Sequence, residues 1–504
     1  MTGTDDKRDS VPDLSPDEFR KLGYALVDQI AEFFGTLAQR PVTRAHTPKD
    51  IRALLGTGSL PEQGTPADAL LRDIAEQLFD HSLHNGHPRF FGYITSSAAP
   101  LGALGDLLAS AVNSNVGGWD ISPLASEIEA QTIRWLAELV HYPAGGGGLM
   151  VSGGNMANIV GFFAARKAQA PWDIRAAGLR ADSRQLTVYA SDATHTWLQK
   201  AVDLSGLGTD SIRWIETDDR QRIDLAELRR RIDADEKNQD RLPFLVVGTA
   251  GTVSTGAIDP LHQIADICAE RRLWFHVDGA YGALGAALPK PPAELSGLAR
   301  ADSVALDPHK WLYSPLEAGC TLVRDPAHLT DAFSYKPDYY HFIEDEDDPR
   351  INYYEYGLQN SRGFRALKVW LGLRNVGREG YIRLLEEDIA LSKRLYDAAT
   401  EHPDLEPLTQ ELSIATFRYK PADLEANAES AEEYLNDLNH QLLSRLNDSG
   451  EAFISNAVIN DTNALRACIV NFRTSASDVD ALSEIVARHG SELDREIRPA
   501  SLRH

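Results

Sequence analysis

Five short apolar runs, at 186–191, 244–250, 273–278, 303–306 and 320–324, constrain the fold of this chain more than any other feature. Helical or loop spans separate most of them. That alternation argues for an α/β protein whose central sheet is mainly parallel and covered by helices on both faces. FLVVGTA (244–250) is apolar almost throughout, as a strand buried on both faces is. In open sheets of this kind ligands collect at the carboxyl ends of the strands.

Two runs end in residues with chemical potential. LWFHVDGAYG (Leu273 to Gly282) carries Asp278 at its strand end, and ALDPHKWLYS (Ala305 to Ser314) places Lys310 just past the next strand. A lysine taken alone is most often a solvated surface residue. Here Trp311, Leu312 and Tyr313 follow it, which predicts an amine set among apolar groups. Desolvation disfavours the charged amine, as a lysine that bonds an aldehyde requires. A carboxylate and a lysine at neighbouring strand ends are the two protein groups that a pyridoxal 5′-phosphate (PLP) site needs. Asp278 would hold the ring nitrogen protonated, and Lys310 would carry the cofactor covalently.

At these residues, HVDGAYG followed by DPHKW, the chain resembles the group II PLP-dependent amino-acid decarboxylases, and the likeness runs from about Ser15 to Ala487. The resemblance implies the fold type I arrangement of PLP enzymes and decarboxylation of an L-amino acid to its amine and CO₂. It implies a homodimer with the active site near the subunit interface. Four regions are expected: a leader (1–14) that reads as disordered, an N-terminal helical segment (15–100) that the resemblance packs on the partner, a large PLP-binding domain (101–377) and a small α+β C-terminal domain (378–504). By resemblance His195 lies flat on the cofactor ring and bonds the substrate carboxylate, and Ala280 and Thr252 contact the cofactor. Gly154, Asn155 and Met156 lie at the phosphate, and His309 holds the phosphate or the lysine. Asp307 stands where family members often have Asn; an acid beside a phosphate is unfavourable, so it receives no phosphate role.

Composition bounds the partners. A net charge of −24 argues against nucleic acid or an anionic membrane. Three widely spaced cysteines, Cys268, Cys320 and Cys468, have no metal-binding spacing and fit a reducing cytoplasm. No apolar run approaches the roughly 20 residues of a membrane span, and MTGTDDKRDS has no apolar core of a signal peptide.

The remaining stretches follow in order. Leu14 to Ala38 predicts an amphipathic helix capped by Ser15 and Glu18, with Phe19, Leu22, Leu26, Ile30 and Phe33 on one stripe. A second helix is expected over Asp68 to Phe79. His84 to Pro100 is a loop whose Phe90, Phe91 and Tyr93 suit either core or pocket wall. It resembles the family's substrate-lining stretch, with Asn85 where aromatic-specific enzymes carry Trp, and Ile94 and Thr95 in place of Phe-Pro. Asn115 and Gly117 likewise replace an apolar residue and a Phe, while Trp119 matches. Fewer aromatic walls leave the substrate side chain open. The turn VSGG followed by a helix from Asn155 offers free N–H groups and a positive dipole end to a phosphate.

AFSYKPDYYHFIEDEDDPRINYYEYG (Ala332 to Gly357), with five consecutive acids, reads as a lid more readily than as a solvated face. Tyr339 matches the family tyrosine that returns a proton to the substrate α-carbon after CO₂ leaves, with Tyr340 as the competing choice. A Phe there diverts relatives to oxidative deamination, so Tyr favours decarboxylation. Gly357 to Gly377 is expected as one helix leading out of the large domain. The substrate class is aromatic or another neutral amino acid. The alternatives are an aldehyde synthase and an acidic-amino-acid decarboxylase, for which Arg89 is the nearest basic candidate. A nicotinamide dehydrogenase is disfavoured, because SGGNMAN lacks GxGxxG spacing.

Overall fold

The computed structural model describes residues 13–335, 350–424 and 429–502. Its first third is helical: α1 (Pro16–Thr36), α2 (Pro48–Leu55), α3 (Ala67–His81), α4 (Pro100–Val112) and α5 (Pro123–Leu139). The start of α1 follows from its capping residues. The Ser15 hydroxyl accepts from the Glu18 N–H, and the Glu18 carboxylate accepts from the Ser15 N–H. Two otherwise orphaned donors are thereby satisfied. Phe33 stacks on Phe79 of α3 with centroids 4.6 Å apart. Yet no residue of α1 is buried. Its Phe19 and Val27 stay exposed, as do Leu104 and Leu107 of α4, and the two helices line one apolar groove.

The central sheet contains β1 (Gly147–Val151), β2 (Gln185–Ser191), β3 (Ile212–Ile215), β4 (Arg241–Thr249), β5 (Trp274–Asp278), β6 (Ser303–Leu306) and β7 (Gly319–Val323). Their order is β1-β7-β6-β5-β4-β2-β3. From β3 through β6 the neighbours are parallel; β7 alone is opposed, pairing antiparallel with β6 and β1. The reason is the connection. No crossover helix lies between β6 and β7, so the chain returns beside the strand it left, and Lys310 sits in that return. The edge strands β1 and β3 are not among the five expected runs. One is led by two glycines and the other has four residues, so neither shows apolar length in sequence.

Helices α6 (Gly154–Gln169), α7 (Ile174–Ala177), α8 (Trp197–Leu204), α9 (Leu225–Lys237), α10 (Leu261–Arg271) and α11 (Ala327–Phe333) fall between or after the strands. Successive residues of β5 show the two covered faces. His276 Nε2 lies 2.7 Å from Asn158 Oδ1 of α6, whereas Phe275 lies with Leu261 and Ile264 of α10 around Gly248. This is the period-two alternation of a strand. The fold type I arrangement and its mainly parallel sheet are as expected.

α12 (Ala366–Glu401) starts nine residues later than the expected helix from Gly357, and it kinks at Gly377, whose φ of +69° is not helical. Residues 357–365 hold no helix. A four-stranded antiparallel sheet follows, ordered β10-β11-β9-β8: β8 (Leu405–Glu411), β9 (Ile414–Tyr419), β10 (Ser455–Ile459) and β11 (Thr462–Cys468). It packs with α13 (Glu429–Ser449) and α14 (Ala476–Ile497) around Phe417, Leu438 and Leu482. Among the described residues no helix is long and apolar enough to cross a membrane.

Candidate active site

Asp278 is the last residue of β5 and pairs in register with Ala305 of β6. Five residues beyond that pairing, Lys310 reaches the same cleft. The Asp278 carboxylate is buried and held on both oxygens: Trp197 Nε1 donates to Oδ2 at 2.8 Å, and the Ala280 N–H donates to Oδ1 at 3.2 Å. A carboxylate fixed in this way cannot rotate out of the cleft.

His195, before α8, lines the same cleft. Its ring is open to solvent at the cleft mouth, yet enough protein surrounds it that desolvation lowers its pKa, with Asp278 pulling the other way. Its Nδ1 accepts from the Trp197 N–H at 3.2 Å, which leaves the proton of the neutral ring on Nε2.

Lys310 does not have the apolar surroundings expected. Trp311, Leu312 and Tyr313 are buried, but they point into the core behind the turn, and Lys310 Nζ lies 3.3 Å from Asp307 Oδ2. Burial pushes the Asp307 carboxyl above its ordinary pKa, and the Lys310 ammonium opposes that shift. Asp307 sits beneath the start of α6, where a Cβ on Gly154 would come within 2.5 Å of Oδ2. His309 belongs to the same turn. Its Nδ1 lies 2.7 Å from the Ala318 carbonyl, and Ser96 Oγ donates to the His309 carbonyl at 2.7 Å.

The other candidates divide into two groups. Gly154, Asn155, Ala280 and Ile94 line the cleft with the residues above. Met156, one position along α6, is half-buried against the core and does not line it. Thr252 is buried behind the wall, its hydroxyl 2.9 Å from that of Thr255. Asn85 and Tyr93 lie outside this chain's cleft. Tyr93 (φ +51°) turns its ring toward Phe453. Asn115, Gly117 and Trp119 form a separate cluster. Asn115 Oδ1 accepts from the N–H groups of Gly117 and Arg362, and Trp119 lies under the Arg350 guanidinium. Arg362 is itself buried against Glu129, 2.5 Å away. Arg89 faces Asp478, at 4.0 Å, rather than the cleft. Tyr339 and Tyr340 lie outside the described residues.

One residue escaped the sequence reading. Arg466 of β11 is 2% exposed and donates to the carbonyls of Val253, a cleft residue, and Tyr93; no carboxylate among the described residues pairs with it. Its strand, TNALRAC, carries no signal of which side faces the cleft.

These groups fit PLP. The cleft offers a buried carboxylate for a ring nitrogen and a primary amine for an aldehyde. It also has a helix start closed in by Gly153 (φ +138°) and Gly154 for a phosphate. Two polar atoms on its walls, Thr249 Oγ1 and Asp307 Oδ1, have no hydrogen-bond partner among the described residues. No group of three potential metal ligands occurs among the described residues.

Comparison with known proteins agrees. Residues 48–420 match the pyridoxal-dependent decarboxylase conserved domain. An aromatic-L-amino-acid decarboxylase of Bacillus atrophaeus is 34% identical over 92% of this chain and 94% of its own length. A phenylacetaldehyde synthase of Petunia hybrida is 30% identical over 95% of each. The crystal structure of Oryza sativa TDC with PLP and tryptamine superposes with a TM-score of 0.88 at 28% identity, over 95% of this chain and 99% of that one.

Proposed function

From the premise that this chain belongs to the pyridoxal-dependent decarboxylase family and is a PLP-dependent amino-acid carboxy-lyase, we propose that its substrate is a neutral, aromatic L-amino acid and that Lys310, Asp278, His195 and Tyr339 perform the reaction. The observation that carries the residue assignment is one cleft lined by Lys310, Asp278 and His195 at the carboxyl ends of β5 and β6. Two findings support the neutral substrate: relatives named for tyrosine and tryptophan decarboxylation, and an Arg89 engaged with Asp478.

Bound PLP supplies the electron sink for the pair left when CO₂ departs. The chain does the rest. Lys310 would hold the cofactor through its amine when no substrate amine has taken its place. The Asp278 carboxylate, clamped by Trp197 and Ala280, keeps a proton on the ring nitrogen. His195, whose Nδ1 is taken by the Trp197 N–H, would flank the cofactor and offer its Nε2–H to the substrate carboxylate, a positioning task. Tyr339 returns a proton to the α-carbon. Arg466 adds a buried positive charge behind the Val253 wall, complementary to the carboxylate of the zwitterionic substrate.

The enzyme works as a homodimer in the cytoplasm. The exposed apolar faces of α1 and α4 support the pairing, and three free, buried cysteines support the compartment. Asn115, Gly117 and Trp119, set apart from their own Lys310, line the partner's cleft.

The test is an amino-acid panel on the PLP-loaded protein, with CO₂, amine, aldehyde and peroxide measured together. Stoichiometric amine and CO₂ from aromatic substrates are expected. Aldehyde with peroxide as the main product would sink the decarboxylase chemistry in favour of an aldehyde synthase.

A further inference from the structure

Behind the Lys310 turn lies an acid that the reaction itself does not use. Asp388, in α12, is 2% exposed, and its Oδ2 accepts from Trp311 Nε1 at 2.8 Å and from the Tyr313 hydroxyl at 2.7 Å. About two helical turns earlier, the Tyr381 hydroxyl donates to the Leu312 carbonyl at 3.3 Å. Three consecutive residues after Lys310 are thus bonded to one helix. Tyr313 is held at φ +54°, a conformation aromatic residues avoid unless their surroundings impose it. The Trp311 ring stacks at 5.0 Å on Tyr281, a wall residue of the cleft three positions past Asp278. The Tyr281 hydroxyl is fixed in turn by Ser413, which lies 2.6 Å away through Oγ and donates its N–H at 2.9 Å.

No cation pairs with Asp388 among the described residues. Its other charged and titratable neighbours are Glu387 on the same helix, Tyr281 beyond Trp311, and Cys468 at the end of β11; the Asn471 N–H adds a donor. Burial raises its pKa to about 7, and the bonds from Tyr313 and Trp311 work against that rise. An apolar side chain in this place would avoid burying a charge altogether. A carboxyl kept here at a cost in stability therefore points to a role in holding the turn.

We propose that Asp388 is a positioning residue: from behind the cleft it fixes the turn that carries Lys310 and, through Trp311, the Tyr281 wall beside Asp278. The proposal rests on the reading of Lys310 as the PLP-bearing lysine. Charge-assisted hydrogen bonds are stronger than neutral ones, so the grip is firmest with Asp388 ionised and slackens as pH falls through about 7.

The experiment measures the PLP dissociation constant and the visible absorbance of lysine-bound PLP from pH 5.5 to 8.5, in the wild type and in Asp388→Asn, Tyr313→Phe and Lys310→Ala. At pH 8 Asp388→Asn should bind PLP at least tenfold more weakly, with its PLP-free unfolding temperature equal to or above that of the wild type. The ratio of the two constants should shrink toward one below pH 6, because other titrations are common to both proteins. Tyr313→Phe, which removes one donor to the ionised form, should weaken binding severalfold and move the midpoint upward. It carries the test if Asp388→Asn does not fold. Equal constants in wild type, Asp388→Asn and Tyr313→Phe at every pH, or a loss in Asp388→Asn that is the same at pH 6 and pH 8, overturn the positioning role alone, provided Lys310→Ala lacks the visible band. A band retained in Lys310→Ala overturns the lysine assignment, and the positioning role with it.

Discussion

Burial ties one histidine of the sheet, His276, to the protein's response to acid. His276 is fully buried, with Nδ1 2.7 Å from Ser303 Oγ and Nε2 2.7 Å from Asn158 Oδ1, and desolvation lowers its pKa to about 4. An unfolded histidine takes up a proton near pH 6.5, whereas the folded one refuses it until about pH 4. The stability due to the neutral ring is thus present above pH 6.5 and lost as pH falls from 6.5 toward 4, by roughly 3 kcal/mol at most, at about 1.4 kcal/mol for each pH unit. Asp259, raised to about 6 by burial, works with the opposite sign over much of that interval. The difference between variant and wild type is therefore the useful quantity. His276→Gln should be the less stable protein at pH 7.5, having lost packing and one bond. Its unfolding midpoint should then fall less steeply between pH 6.5 and 4.5. Parallel curves for the two proteins would show that His276 does not carry the acid sensitivity.

At the scale of elements, the start of α6 is the tightest construction in the cleft. A Cβ on Gly154 would meet Asp307 Oδ2 at 2.5 Å and Ala280 Cβ at 3.0 Å, so Gly154→Ala must displace the Lys310 turn or the end of β5. Overpacking of this kind costs about 1–3 kcal/mol, and here the strain falls on the elements proposed to face the phosphate. PLP affinity should drop at least tenfold, read by equilibrium dialysis, while far-ultraviolet circular dichroism stays unchanged. Wild-type affinity in Gly154→Ala would mean that the helix start does not shape the site. This end of the molecule was legible in sequence because its signals are local. The run LWFHVD ends in Asp278, DPHK follows the next strand, and Ser15 with Glu18 starts α1. What stayed hidden depends on direction rather than position. Motif likeness places Met156 and Thr252 near the cofactor, yet helical rotation turns Met156 toward the core, and a tight turn pairs Thr252 with Thr255. Arg466 and Asp388 brace the back of the cleft wall and the lysine turn from the C-terminal half, across sequence separations that no local pattern reveals.

At the scale of the whole molecule, α1 and α4 leave a broad apolar groove exposed between them. Phe19 is 57% exposed and Leu107 is 54% exposed, and large apolar patches of this kind mark protein contacts. In the proposed dimer a second copy covers this groove, and Asn115, Gly117 and Trp119 reach the partner's cleft. A charge placed there opposes pairing without disturbing the fold, because an exposed side chain contributes little within its own chain. Phe19→Glu combined with Leu107→Arg should therefore sediment as a monomer of 55.4 kDa, against about twice that for the wild type. Decarboxylation should fall by at least tenfold, because each cleft loses the side chains supplied by the other copy. The monomer should still bind PLP weakly through Lys310 and Asp278, which come from a single chain. A variant that is monomeric and fully active would show that one chain completes its own site, and the cluster around Trp119 would then need a purely structural explanation.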